Sequence, residues 1–216
     1  MIPVFLIARQ PDLGTALLVF AAGLYVIILA GLPWKWILPF VGFGVVGILL
    51  IIIFGSTICA HDVAWPFVHN YQKHRICTLL DPSTDPLGKG FHTIQSVIAI
   101  GSGGLFGKGW LQGTQAHLEF IPEKHTDFIF AVFSEEFGLI GNVVLLALFA
   151  ALIQRGFAIA SNAPTLFTRL LGGSITLIFF TYAFVNMGMV SGLLPVVGVP
   201  LPFISYGGTA LVTLGV

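Results

Sequence analysis

Apolar side chains run along this chain in long blocks, not in the alternation of a strand or the single stripe of a soluble helix. Blocks at 13–31, 36–59, 128–153, 170–193 and 200–216 each approach the roughly 20 helical residues needed to cross about 30 Å of hydrocarbon. Inside such a block a helix satisfies every backbone group by itself, and neighbours or waters cover the breaks made by glycine and proline. The pattern predicts an all-α integral membrane protein, a polytopic helix bundle of a single membrane domain.

The polar intervals set its orientation. The turn Leu32-Pro33-Trp34-Lys35 is short and basic, and 154–169 carries Arg155 and Arg169 with no acid. Basic short loops face the cytoplasm. Alternation then places the long loop 60–127, and the short connection 194–199, on the extracytoplasmic side; Arg9 runs against this scheme. Within the long loop, residues 91–106 are apolar but interrupted by glycine, so an interfacial or re-entrant segment is expected there, not a span. Residues 1–8 are too few to cross and lack the basic start of a signal peptide, and an apolar run is still open at 216. The chain therefore reads as truncated at its N-terminus and, by a few residues, at its C-terminus.

Composition agrees with a lipid solvent: 56% of residues are hydrophobic and 8% charged, against about a quarter charged in soluble domains. The net charge of zero points to no nucleic-acid partner. Its distribution says more. All six histidines, six of nine acids and five of nine Lys and Arg residues fall in 60–127, so chemistry is concentrated in one loop. The two cysteines, Cys59 and Cys77, could pair if the long loop faces an oxidising compartment, although a lone pair at a membrane edge is more often free. The histidines show neither HExxH nor CxxC spacing, so no metal site is expected from them.

Four local features invite a chemical reading. Glu135 and Glu136 lie in an apolar span, where each ionised carboxylate costs about 2.5–3.5 kcal/mol; a buried, paired glutamate that fixes packing competes with one lining a wet cavity. On a continuous helix Glu135 would sit about 80° around and about 12 Å deeper than Asp127, and Glu136 about 180° around, so these carboxylates do not form a glycosidase pair. After Glu123-Lys124-His125, either Thr126 or Asp127 reads locally as a helix cap, as does Asp12 at the head of the first full span. The glycines at 101, 103, 104, 107 and 109 fit no phosphate-loop fingerprint and read as loop flexibility. Around Ser205 and Tyr206, prolines and glycines predict a broken or late-starting helix.

Taken together, QPDLGTALL at 10–18, DPLGKGFHTIQSVIAIGSGGLFGKG at 85–109, FIPEKHTDFIFAVFSEEFG at 120–138 and FVNMGMVSGLLPVVGVPLPFISYGGTAL at 184–211 closely resemble the RodA, FtsW and SpoVE family, bacterial membrane enzymes that polymerise peptidoglycan. The wording at 123–127 and 197–202 is nearer the elongation branch, RodA. The resemblance implies a bundle of about ten helices in the bacterial cytoplasmic membrane, its large loop outside, so that earlier helices are missing here. It implies lipid II and the nascent glycan as substrates, and a class B penicillin-binding protein with the elongation machinery as partners. It also implies that Asp127, the aspartate of the HTDF motif, is the catalytic base of an inverting glycosyltransferase. Lys108, Lys124 and His125 are expected by location to contact diphosphate or sugar, with Gln95 and Ser205 as further substrate contacts and Asp12, Glu135 and Glu136 as intramembrane polar groups. No cofactor is firmly implied, although a divalent cation would suit a diphosphate leaving group. The competing readings are a lipid II transporter, with the glutamates lining its path, and a non-catalytic scaffold.

Overall fold

The computed structural model describes residues 2–10, 13–59, 70–81, 88–117 and 125–207. All regular structure among them is helical: α1 (Ile2–Arg9), α2 (Leu13–Leu29), α3 (Trp34–Ile58), α4 (Asn70–Leu80), α5 (Lys89–Ser102), α6 (Thr114–His117), α7 (Ile129–Ser161) and α8 (Leu166–Val190). Three of them, α3, α7 and α8, are long and apolar enough to cross a membrane. Helix α2, with 17 residues, reaches about 26 Å. The protein is a multi-pass membrane protein.

Helix α8 is the centre, packed by α7, α2 and α5. Its buried face is rich in small and hydroxyl residues, among them Gly173, Ser174, Thr176, Thr181, Ala183 and Gly188. In lipid there is little hydrophobic drive between helices, so close backbone approach and interhelical hydrogen bonds do the joining. The Tyr25 hydroxyl meets Thr181 Oγ1 at 2.5 Å, linking α2 to α8. Phe130, Phe149, Phe179, Met189 and Leu201 fill the core where α7, α8 and the segment after α8 converge.

Helix α3 stands apart. It packs on α4 and leaves Phe40, Phe43 and Ile53 largely exposed, which costs nothing where the surroundings are acyl chains. Against the commoner case of free thiols, Cys59 and Cys77 form a disulfide. Helix α4 folds back beside the end of α3 and brings their Cα atoms to 5.7 Å, within the range a disulfide spans.

Several boundaries differ from those the apolar blocks predict. Helix α7 runs on through Gln154 and Arg155 to Ser161, and α8 begins at Leu166, so the connection predicted at 154–169 shrinks to 162–165. Polar, helix-forming residues mark where a helix leaves lipid, not where it ends. Asn162 is the C-cap of α7, and α8 is N-capped by Thr165, whose side chain shares a reciprocal capping box with Thr168. Helix α8 stops at Val190 because Gly192 takes φ +74°, the left-handed conformation of a C-terminal cap. No helix begins at 200: Leu201 to Gly207 form turns around two prolines that lack N–H donors, and 208–216 lie outside the described residues. The segment read as interfacial or re-entrant is largely α5, whose 14 residues reach about 21 Å, too short to cross.

The largest departure from a plain span lies inside α7. Gly138 has φ +64° and ψ −162°, which divides α7 into a short piece up to Phe137 and a long one from Leu139. The severed ladder is repaired by the glycine-rich turn after α5. Lys108 N–H and Gly109 N–H donate to the Glu135 and Glu136 carbonyls, each at 3.0 Å, while Leu139 and Ile140 N–H donate to Gly104 and Leu105 carbonyls at 2.9 and 3.1 Å. Backbone groups at membrane depth need such partners. A Cβ on either Gly107 or Gly138 would collide with the other strand's backbone. Of the glycines read as flexible from sequence, Gly103 and Gly107 are therefore contact points of this joint, lying against the backbone of 134–138.

Candidate functional site

Asp127 lies in the turn 125–128 that leads into α7. The N-cap position is occupied by Phe128, so neither Thr126 nor Asp127 takes the N-cap place that their spacing predicts. Phe128 is buried with the His92 ring of α5 edge-on to it at 6.1 Å, which anchors the turn on its inner side. Asp127 remains partly exposed.

The opposite side is held by the segment that follows α8. Tyr206 N–H donates to the His125 carbonyl at 2.8 Å. The Ser205 hydroxyl donates to the Thr126 carbonyl at 2.6 Å, and accepts from Leu201 N–H at 2.7 Å. The Asn186 amide donates to the Asp127 carbonyl at 2.8 Å and to the Val199 carbonyl at 2.7 Å. Three successive carbonyls, 125 to 127, thus each receive one donor. A Cβ built on Gly198, whose φ is +76°, would stand 3.2 Å from Asp127 Oδ2, so this backbone passes directly beside the carboxylate. An open cleft of about 510 Å³ adjoins the turn, lined by His125, Ile129, Phe203, Ile204, Ser205 and Tyr206. Phe203 adopts φ +62°, a strained conformation for a bulky residue that costs about 1–3 kcal/mol and tends to occur at functional sites.

A second polar centre sits at the α7 break. Glu135 is 0% exposed, and Lys108 Nζ lies 2.6 Å from its Oε1. Oε1 also accepts from Thr114 N–H and hydroxyl, both at 2.9 Å, and from Gln115 N–H at 3.2 Å. Thr114 Oγ1 in turn accepts from Lys108 Nζ at 2.8 Å. The carboxylate therefore gathers the start of α6 and the glycine turn onto α7, and Lys108 is engaged here. Glu136, also buried, packs beside Gly113.

The sequence candidates thus separate. Asp127, His125 and Ser205 come together, with Ser205 bonded to backbone on both sides and His125 lining the cleft. Lys108 belongs to the Glu135 cluster, and Gln95, partly buried on α5, takes no part in the hydrogen bonds around Asp127. Asp12 and Lys124 lie outside the described residues. Asn186 and Gly198 are site residues that sequence reading missed; a lone asparagine in an apolar span, twelve residues before a Gly-x-Pro turn, is the signal available for them. Among the described residues no three His, Cys, Asp or Glu side chains gather as a metal site.

The site also joins distant parts of the chain. Gly14 of α2 abuts Val197, Ser96 of α5 donates to the Val190 carbonyl at 2.8 Å, and 125–127 meet 186–206. Described parts of the first three stretches quoted from the sequence thus each meet the fourth.

Comparison with known proteins points the same way. A family model for FtsW, RodA and SpoVE, described as cell cycle protein, matches residues 1–216. The peptidoglycan glycosyltransferase MrdB of Escherichia coli K12 is 55% identical over 213 residues, covering 98% of this chain and 54% of the relative. Stage V sporulation protein E of Bacillus subtilis is 40% identical over 206 residues, 95% of this chain and 52% of that protein. A solved chain from work on the structural coordination of polymerization and crosslinking by a peptidoglycan synthase complex superposes with a TM-score of 0.70 at 38% identity, covering 98% of this chain and 55% of its own length. The chain spans about half the length of the curated relatives it matches.

Proposed function

The chain belongs to the FtsW, RodA and SpoVE family, and from that premise we propose that it carries the catalytic part of an inverting peptidoglycan glycosyltransferase. Its substrates are lipid II and the growing glycan, and its role is cell elongation. The observation that carries this reading is the Asp127 turn, immobilised by donors on three successive carbonyls beside an open cleft. An enzyme gains rate by holding a reacting group in place before substrate arrives.

In the reaction, the Asp127 carboxylate accepts the proton of the acceptor GlcNAc 4-hydroxyl as that oxygen bonds to the anomeric carbon of the MurNAc donor. The bond from that carbon to the polyprenyl diphosphate breaks on the opposite face, so configuration inverts and the diphosphate leaves with the electron pair. General-base help of this kind supplies about 10²–10⁴-fold. His125 and Tyr206, on the cleft wall, are assigned in this reading to contact sugar or diphosphate. Lys108, already paired with Glu135, holds the α7 joint.

The disulfide between Cys59 and Cys77 supports an extracytoplasmic position for the long loop, since such bonds persist in oxidising compartments. A transpeptidase of the class B penicillin-binding type, which would crosslink the strands, is the partner consistent with the synthase complex in which the solved relative was studied. The transporter reading has less support, because Glu135 is consumed by hydrogen bonds from the neighbouring loop. A full-length protein containing this chain, purified into liposomes with lipid II, is expected to make glycan polymer. Movement of lipid II across the bilayer with no polymer formed would replace this proposal with the transporter.

A further inference from the structure

The geometry assigns Asn186, seconded by Ser205, as the positioning residue that fixes the Asp127 carboxylate for proton transfer; this rests on the reading of Asp127 as base. Asn186 is 0% exposed and sits near the end of α8. Its single amide nitrogen donates both hydrogens, one to the carbonyl of Asp127 and one to that of Val199. One side chain thereby links three elements: α8, the turn entering α7, and the segment whose Gly198 runs beside Asp127 Oδ2.

The chemistry restricts what can stand there. Two carbonyl oxygens face one nitrogen, so the position needs two diverging N–H donors at no cost in buried charge. A primary amide provides them; an ammonium would bring a desolvated charge, and a carboxylate would set its lone pairs against both carbonyls. Leucine, similar in volume, fills the space and donates nothing. The amide orientation is also fixed, since turning it over would place oxygen against oxygen. Ser205 adds the same restraint one residue earlier, passing a hydrogen bond from Leu201 N–H through its hydroxyl to the Thr126 carbonyl. Neither side chain needs to touch substrate. Each acts by fixing the backbone from which the Asp127 side chain extends, and a displacement of about 1 Å at a reacting group costs on the order of a hundred-fold in rate.

The test compares Asn186→Leu, Ser205→Ala and Asp127→Asn in the full-length protein, with glycan formation from purified lipid II measured per folded molecule over a range of substrate concentrations. Asp127→Asn is expected to lower turnover by at least about 10²-fold. Asn186→Leu is expected to lower kcat on the order of a hundred-fold with KM changed by less than about three-fold, and Ser205→Ala to lower kcat less, again at near-constant KM. The split between kcat and KM distinguishes misplacement of the base from loss of a binding contact or of fold. If Asp127→Asn falls by that much while Asn186→Leu and Ser205→Ala keep wild-type kcat per folded molecule, or lose affinity alone, the positioning role is overturned and the base assignment stands. If Asp127→Asn polymerises normally, the base assignment itself is wrong. Should Asn186→Leu fail to accumulate, Ser205→Ala decides, and an unchanged kcat overturns the inference.

Discussion

At the scale of single residues, the site depends on which polar groups are already engaged. Lys108 and Glu135 illustrate this. An interior carboxylate with several donors and one cation is costly to disturb, because removing a partner leaves a charge without compensation, worth about 3–5 kcal/mol. Lys108→Met is therefore expected to lower unfolding stability in detergent by a few kcal/mol, with Lys108→Met combined with Glu135→Gln less damaging than the sum of the two single changes. Strict additivity in thermal or denaturant unfolding would show that the pair is not coupled. Gly198→Ala acts on the other centre: its Cβ would stand 3.2 Å from Asp127 Oδ2 at a φ of +76°, so catalysis should fall further than the roughly 1 kcal/mol of left-handed strain explains. A loss confined to stability would contradict that. The role proposed for Asp127 rests on its motif, whereas Lys108 was assigned by its location in the loop. Position in a loop does not reveal that a carboxylate 27 positions later takes up the ammonium, and Asn186 acquires meaning only when the turn at 127 arrives beside it.

At the scale of elements, apolar length predicts that α3, α7 and α8 exist, and this part of the fold is readable without coordinates. What length does not show is the break at Gly138, because an apolar run is the same whether the helix through it is whole or broken. The weak signal was a glycine after Glu135-Glu136-Phe137, the usual place for a helix to end. Its structural meaning depends on a second glycine 31 positions earlier, Gly107, against which it packs. Gly138→Ala must place a Cβ against that backbone while holding φ +64°, and is expected to destabilise by more than about 2 kcal/mol. Unfolding at the wild-type midpoint would mean that the joint is not rigid. The disulfide stayed open in the sequence for a related reason: spacing does not show that α4 turns back along α3. Wild-type protein under non-reducing conditions should resist thiol alkylation at Cys59 and Cys77 and gain two labels after reduction. Ready labelling of the unreduced protein would contradict the link.

At the scale of the whole molecule, α3 is held to its neighbours mainly at one end, while α2, α5, α7 and α8 form a packed unit around Asp127. The proposed orientation places the turn at 206 outside and the connection at 162 inside. In a variant lacking both cysteines, Tyr206→Cys should react with a membrane-impermeant maleimide added from the extracytoplasmic side and Asn162→Cys should not; the reverse pattern would invert the topology. The packed unit gives the Asp127 turn its fixed backbone, and the family to which the chain belongs gives that turn its proposed chemistry. The most direct test of this account is the initial rate of glycan polymerisation from lipid II by full-length protein carrying Asp127→Asn, with folded protein matched to wild type. The account predicts a fall of at least about 10²-fold with lipid II still bound; polymerisation at the wild-type rate would contradict it.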